Sequence, residues 1–197
     1  ARCAAARCPD GSGPVHLGVV PPCYCEQLSA DTWDPDGFNR HVQVNLTCMR
    51  DAIGAVLSEM LARRSGVIAG ISSVAGYRGL SGSEAYGATK AGQINLLESL
   101  RIHVARRGVR VITICPGFVR TDLTASNDFP MPFMIDADTA GRAICDGLER
   151  ERTEIVFPFP MAVLMKAARL VPVSLWARLW SRSSQPDGAR TSDSARR

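Results

Sequence analysis

The sequence predicts an α/β fold with a doubly wound parallel sheet, and three observations predict it. Short apolar, β-branched runs at residues 67–72, 109–115 and 154–158 read as buried strands. Longer stretches with apolar residues at helical spacing alternate with those strands. The composition, 46% hydrophobic and 21% charged over 197 residues, is that of a globular chain with a sizeable core. Strands alternating with helices imply a parallel sheet with helices on both faces, joined by right-handed crossovers.

Residues 1–36 are rich in Ala, Gly, Pro, Cys and Asp and hold one strand-like run, at 15–20. No helix is expected there. From Asn45 onward Met49, Ala52, Ile53, Val56, Leu57, Met60 and Leu61 recur at helical spacing, and Ser65-Gly66 closes the run. After the strand at 67–72, a second long helix spans 84–107 and stops at Gly108, the residue that best tolerates a left-handed cap. The strand at 109–115 follows. Residues 122–135 mix Pro130 and Pro132 with Phe129, Met131, Phe133 and Met134, which makes an apolar loop. Asp136 or Asp138 then caps a helix carrying Ala140, Ile144 and Leu148 on one face, before the strand at 154–158. The division expected is a divergent or foreign segment at 1–36, a catalytic part at 37–160, an amphipathic helical segment at 161–181 and a disordered tail at 182–197.

A formal charge of +4 without a long basic run gives no reason to expect nucleic acid as a partner. Of seven cysteines, Cys3, Cys8, Cys23 and Cys25 crowd the start, while Cys48, Cys115 and Cys145 stand singly in apolar contexts. Their spacing suits neither a zinc ribbon nor a finger, so no metal is expected and a reduced, cytoplasmic setting fits. No run of 18 apolar residues predicts a spanning helix. The segment at 161–181 is apolar with Lys166, Arg169, Arg178, Trp176 and Trp180 interspersed, and Pro172 divides it. Two readings stay open: a basic amphipathic pair lying on a membrane surface, or a terminal helix packed on the domain or a partner subunit.

The chemistry centres on Tyr86-Gly-Ala-Thr-Lys90, whose tyrosine and lysine share one helix face. Thirteen residues upstream of Tyr86, the strand at 67–72 ends in Ser72-Ser73. Open parallel sheets bind ligands at that carboxyl edge. A third piece, Cys115-Pro116-Gly117-Phe118-Val119-Arg120-Thr121, releases polar groups at the same edge through a Pro-Gly turn. His41 reads as helix surface, His103 as a surface or interface residue, and Cys115 as a small core hydrophobe.

Together, Asn45-Leu46, Ile71-Ser72-Ser73-x-x-Gly76, Tyr86-x-x-x-Lys90 and Pro116-Gly117-x-Val119-x-Thr121 resemble the motif series of the short-chain dehydrogenase/reductase family over residues 38–160. The resemblance implies a Rossmann-like fold and hydride transfer between NAD or NADP and a small-molecule carbonyl or alcohol. It implies Tyr86 as acid/base, with Lys90 favouring the phenolate and bonding the nicotinamide ribose. Ser73 would hold the substrate oxygen. Asn45 would hold a water that links Lys90 to solvent, or is an ordinary helix-start residue. Tyr86, Lys90, Pro116, Gly117, Val119 and Thr121 would contact the cofactor. The family's helices pair into a homodimer or homotetramer, and the apolar loop at 122–135 corresponds to its variable lid and favours a hydrophobic substrate.

The family's glycine-rich phosphate turn and its Asn-Ala-Gly turn are not found; Asp10-Gly11-Ser12-Gly13 lies too near the start to follow a strand. The sheet is therefore expected to lack about three strands on its N-terminal side. Two rivals follow: a catalytically silent chain acting through its dimerisation helices or membrane-facing tail, and the epimerase branch that shares Tyr-x-x-x-Lys. The Ser72-Ser73 and Pro116-Gly117 elements fit the reductase branch better.

Overall fold

The computed structural model describes residues 17–20, 24–25, 33–121, 124 and 130–183. The expectations for residues 1–16, most of the loop at 122–129 and the tail from 184 lie outside the described residues. So do Cys3, Cys8 and Cys23 of the cysteines that crowd the start, and Asp10-Gly11-Ser12-Gly13.

Four strands form one parallel sheet in the order β1 (Leu17–Val20), β2 (Gly66–Ile71), β3 (Val109–Pro116), β4 (Glu154–Phe157). The strand expected at 15–20 is thus β1, paired with β2 from Leu17 opposite Val67 to Val20 opposite Gly70. Among the described residues β1 is an edge of the sheet.

The helix expected to begin near Asn45 begins ten residues earlier. Asp34 caps α1 (Pro35–His41), its Oδ1 accepting the Asp36 amide at 3.0 Å, and Pro35 occupies the first turn. The boundary expected after residue 36 therefore falls inside a helix. The helical path continues without a break through a π-helical stretch at Val42–Thr47 into α2 (Cys48–Arg63). Arg64 ends it in the left-handed conformation, φ 55°. α3 (Glu84–Val104) and α4 (Ala137–Glu149) match the expected helices, and Asp136 is the α4 cap, its Oδ1 accepting the Thr139 amide at 2.6 Å. The 161–181 segment forms α5 (Phe159–Ala168) and α6 (Val173–Ser183) on either side of Pro172.

Strand alternation sorts the core into two layers. Ile68, Val109 and Val111 face α2 and α3, packing with Met49, Ile53, Val56, Met60, Leu97 and Val104. Ala69, Ile112, Ile114, Ile155 and Phe157 face the other way, onto Ala140 and Ile144 of α4. Both faces are covered, as a doubly wound sheet requires; each fully buried side chain of the Leu97 or Ile68 kind contributes about 1.5–3 kcal/mol. Gly108 (φ 75°) turns the chain from α3 into β3 where a Cβ would stand 1.9 Å from the Arg64 carbonyl oxygen, so glycine is required twice over.

Candidate functional site

β2 and β3 end side by side, and their exits carry the chemistry. β2 leads into Ser72 and Ser73, then a 3₁₀ turn at Val74–Gly76. Ser73 is extended and caps that turn, its Oγ accepting the Ala75 amide at 3.2 Å and lying 3.5 Å from the Pro116 carbonyl oxygen at the end of β3. Ser72 donates its Oγ–H to the Lys90 carbonyl oxygen at 2.8 Å, inside the buried layer. It pins the strand exit to the helix that carries Tyr86 and Lys90.

On α3, Tyr86 is half-buried and Lys90 fully buried. A buried ammonium is costly unless it has partners, which makes its position a specific feature of this helix rather than a snorkelling surface lysine. Its Nζ stands 5.3 Å from the Tyr86 ring centroid, within cation–π range.

Asn45 lies at the centre of the π-helical stretch, with no exposed surface. Such irregular turns re-aim a side chain, and here the amide is turned onto three protein groups. Its Oδ1 accepts the Tyr24 amide at 3.0 Å, and its Nδ2 donates to the Tyr24 carbonyl oxygen at 3.0 Å and the Thr89 Oγ1 at 3.0 Å. Asn45 thus joins the chain beyond β1 to the Tyr86 helix, and is a mid-helix residue rather than a helix start. Thr89 in turn donates to the Tyr86 carbonyl oxygen at 2.8 Å. Gln93 donates its Nε2–H to the Asn45 carbonyl oxygen at 2.7 Å, while its buried Oε1 has no partner among the described residues.

The β3 exit places the remaining expected residues on a line leaving the sheet. Pro116 closes the strand, and the Gly117 amide donates to the Phe157 carbonyl oxygen at 2.7 Å. Val119 bridges to Ile135 and its carbonyl oxygen accepts the Thr124 hydroxyl at 2.8 Å; Thr121 is exposed and starts a turn, its amide donating to the Thr124 Oγ1 at 3.0 Å. Ser73 and Pro116 therefore meet where β2 and β3 end, Ser72 ties that edge to the backbone of Lys90, and Asn45 is tied to the same helix through Thr89.

Beneath this edge lies a polar group that sequence reasoning missed. The Tyr77 hydroxyl donates to Glu154 Oε1 at 2.6 Å, and Lys166 of α5 donates to Glu154 Oε2. Burial pushes the Tyr77 phenol far above its usual range, with Cys115 and Glu154 adding to the effect. Burial also pushes the Cys115 thiol up, to about 11, which makes it inert as expected of a core residue. At Glu154 burial raises the pKa, but the bonds from Lys166 and Tyr77 and the charges of Lys166 and Arg101 outweigh it and hold the carboxyl low. His41 is likewise not on the surface: it is buried, its Nδ1 2.8 Å from the Gly37 carbonyl oxygen and its ring edge-on to Tyr24. His103 is exposed.

The short chain dehydrogenase family model matches residues 23–130. An uncharacterized oxidoreductase of Myxococcus xanthus is 41% identical over 135 residues, 68% of this chain and 53% of that protein. An acetoacetyl-CoA reductase of Synechocystis is 36% identical over 126 residues, 61% of this chain and 50% of the relative. The chain spans about half the length of these curated relatives. Among solved structures, a short-chain dehydrogenase from Burkholderia cenocepacia in complex with NADP superposes with a TM-score of 0.72 at 22% identity, covering 84% of this chain and 70% of that one. At that identity the likeness bears on the fold alone, and the fold is the one the sheet order and layers already display. With the family model spanning more than half of the chain, the protein belongs to the short-chain dehydrogenase family.

Proposed function

We propose that this chain carries the catalytic half of an NAD(P)-dependent oxidoreductase acting on a carbonyl or alcohol. The observation that carries the reading is the buried Lys90 ammonium beside the Tyr86 ring, on the helix that Ser72 fastens to the Ser73 strand exit. In the reductive direction the Tyr86 hydroxyl gives its proton to the substrate carbonyl oxygen. The Ser73 hydroxyl donates to the same oxygen and holds it as negative charge develops. Lys90 stabilises the phenolate left behind. A bound NAD(P) supplies the hydride donor or acceptor that none of these side chains can replace.

The residues fit one end of such a cofactor. Lys90 and Tyr86 would supply donors for the nicotinamide ribose, and the Gly117 turn with Val119 and Thr121 would supply backbone and hydroxyl groups for the carboxamide side. For the pyrophosphate end, no glycine-rich turn stands beside β1 among the described residues. Phe118, Met131 and exposed Phe133 favour a hydrophobic substrate. A homodimer or homotetramer is part of the same reading and rests on the likeness of α2 and α3 to the family's pairing helices.

Tyr86→Phe tests it: the proton donor goes and little surface is lost. Turnover should fall by at least about a hundredfold with cofactor affinity nearly unchanged. Activity above about a tenth of the parent's would sink the assignment of Tyr86.

A further inference from the structure

We propose that α5 and α6 act as a strap over the stretch that joins Ser73 to Tyr86, with Arg78 and Trp176 as positioning residues; the proposal rests on the catalytic reading of Ser73 and Tyr86 given above. Residues 77–83 carry the chain from the turn capped by Ser73 to the start of α3, where Tyr86 lies in the first turn. Ser72 and Gly76 fasten the strand exit to α3 lower down, at the backbone of Lys90 and Ala91. The first turn of α3 needs a hold of its own. Its N-cap residue, Ser83, makes no side-chain capping bond, so that turn lacks one of the usual locks on a helix start.

The stretch leading to it is loose when taken by itself. The Ser83 amide donates to the Leu80 carbonyl oxygen at 3.2 Å and the Gly82 amide to Glu84 Oε1 at 2.9 Å. Gly79 and Gly82 (φ 76°) stand in open space, where a Cβ would touch nothing. Two such glycines let the backbone sample many conformations unless the rest of the fold fixes it.

Among the described residues, the long-range hydrogen bonds that fix this stretch reach residues 154–176. The Tyr77 hydroxyl donates to Glu154, which Lys166 of α5 holds in turn, and the Arg169 guanidinium lies 5.8 Å from the Tyr77 ring centroid. Leu80 packs into the cluster that holds Met161 and Met165 of α5. Arg78 and Trp176 close the strap reciprocally. Arg78 donates to the Val171 carbonyl oxygen just before α6, at 2.9 Å, and the Trp176 Nε1–H donates back to the Gly79 carbonyl oxygen at 2.8 Å. The guanidinium stands 5.6 Å from the Trp176 centroid, and Trp180 stacks on the same indole at 5.4 Å. The stretch cannot slide without breaking both bonds and the ring contact together. The strap thus sets where the Tyr86 turn sits relative to Ser73, a spacing to which the rate is sensitive at the scale of an ångström.

The test pairs two measurements on the full chain, for the parent, Arg78→Ala, Arg78→Lys and Trp176→Phe, the last keeping an aromatic ring but losing the N–H. Amide hydrogen exchange read by mass spectrometry should be about tenfold or more faster at 78–86 in Arg78→Ala and Trp176→Phe, with β2 and β3 unchanged. Initial rates with NADH or NADPH and activated ketones, ethyl benzoylformate and ethyl acetoacetate, should show kcat down about tenfold in the same two variants. The KM for the cofactor should stay within about twofold, and Arg78→Lys, which keeps a cation and a donor, should recover most of the loss. Unchanged exchange at 78–86, or acceleration spread evenly over β2 and β3, overturns the strap. Faster exchange with an unchanged kcat overturns its positioning role. A parent that turns over neither ketone counts against the catalytic reading, and the positioning role goes with it, while the exchange result decides the strap by itself.

Discussion

Gly76 rests against the main chain of Lys90: a Cβ at residue 76 would stand 2.7 Å from the Lys90 carbonyl carbon and 2.8 Å from the Ala91 nitrogen. Glycine is what lets the turn capped by Ser73 close onto the helix of Tyr86. Gly76→Ala must push these two backbones apart, costing about 1–3 kcal/mol of stability by overpacking. Displacing Ser73 from Tyr86 by a fraction of an ångström should also lower turnover by about tenfold or more. Denaturant midpoints and kcat measured on the same preparation check both.

Glu154 links Tyr77 to Lys166 and so ties the turn after Ser73 to α5. Its carboxyl is held below the ordinary value of 4.5, so the unfolded chain takes up the proton first. The stabilisation is fully present above 4.5 and is lost as pH falls through the lower, folded value. Glu154→Gln should therefore flatten the acid limb of the stability–pH curve. A curve of unchanged shape in urea unfolding from neutral pH to pH 3 would contradict this role.

Cys115 is buried with its thiol raised to about 11, whereas Cys25 and Cys145 are exposed. Iodoacetamide at neutral pH should label Cys25 and Cys145 in the native protein and reach Cys115 only on unfolding. Peptide mass spectrometry over a time course reads the order directly.

Gln93 has no exposed surface, a bond to the Asn45 carbonyl oxygen and an Oε1 with no partner among the described residues. Gln93→Glu places a charge there and should cost about 3–5 kcal/mol at neutral pH, with recovery on acidification as the carboxyl protonates. Gln93→Met loses a single bond and should cost about 1 kcal/mol. Thermal melts of the two variants at two pH values separate these outcomes.

The strands, α3 and α4 were legible because local pattern decides them, and motif spacing alone marked Tyr86, Lys90 and Ser73 as candidates. Apolar β-branched runs, a Gly stop at 108 and motif spacing all act within a few residues. The start of α1 was legible too, in Asp34-Pro35, an N-cap followed by a first-turn proline, a shorter signal than the apolar period that begins near Asn45. Ser72, Thr89, Gln93 and the Tyr77–Glu154–Lys166 link act across the fold, and nothing local announces a bond spanning 77 residues. Only one trace existed: Tyr86, Thr89, Lys90 and Gln93 follow the i, i+3, i+4, i+7 spacing of a helix face that is polar yet points inward. The reverse error occurred at His41, where a polar residue type suggested surface while its ring in fact packs on Tyr24.

The most direct test of the catalytic reading is titration of the folded chain with NADH and with NADPH, followed by nicotinamide fluorescence. Saturable binding of one of them in the micromolar range, weakened by Lys90→Ala, is the predicted result. A folded chain that binds neither contradicts that reading and leaves the interaction-protein alternative in its place.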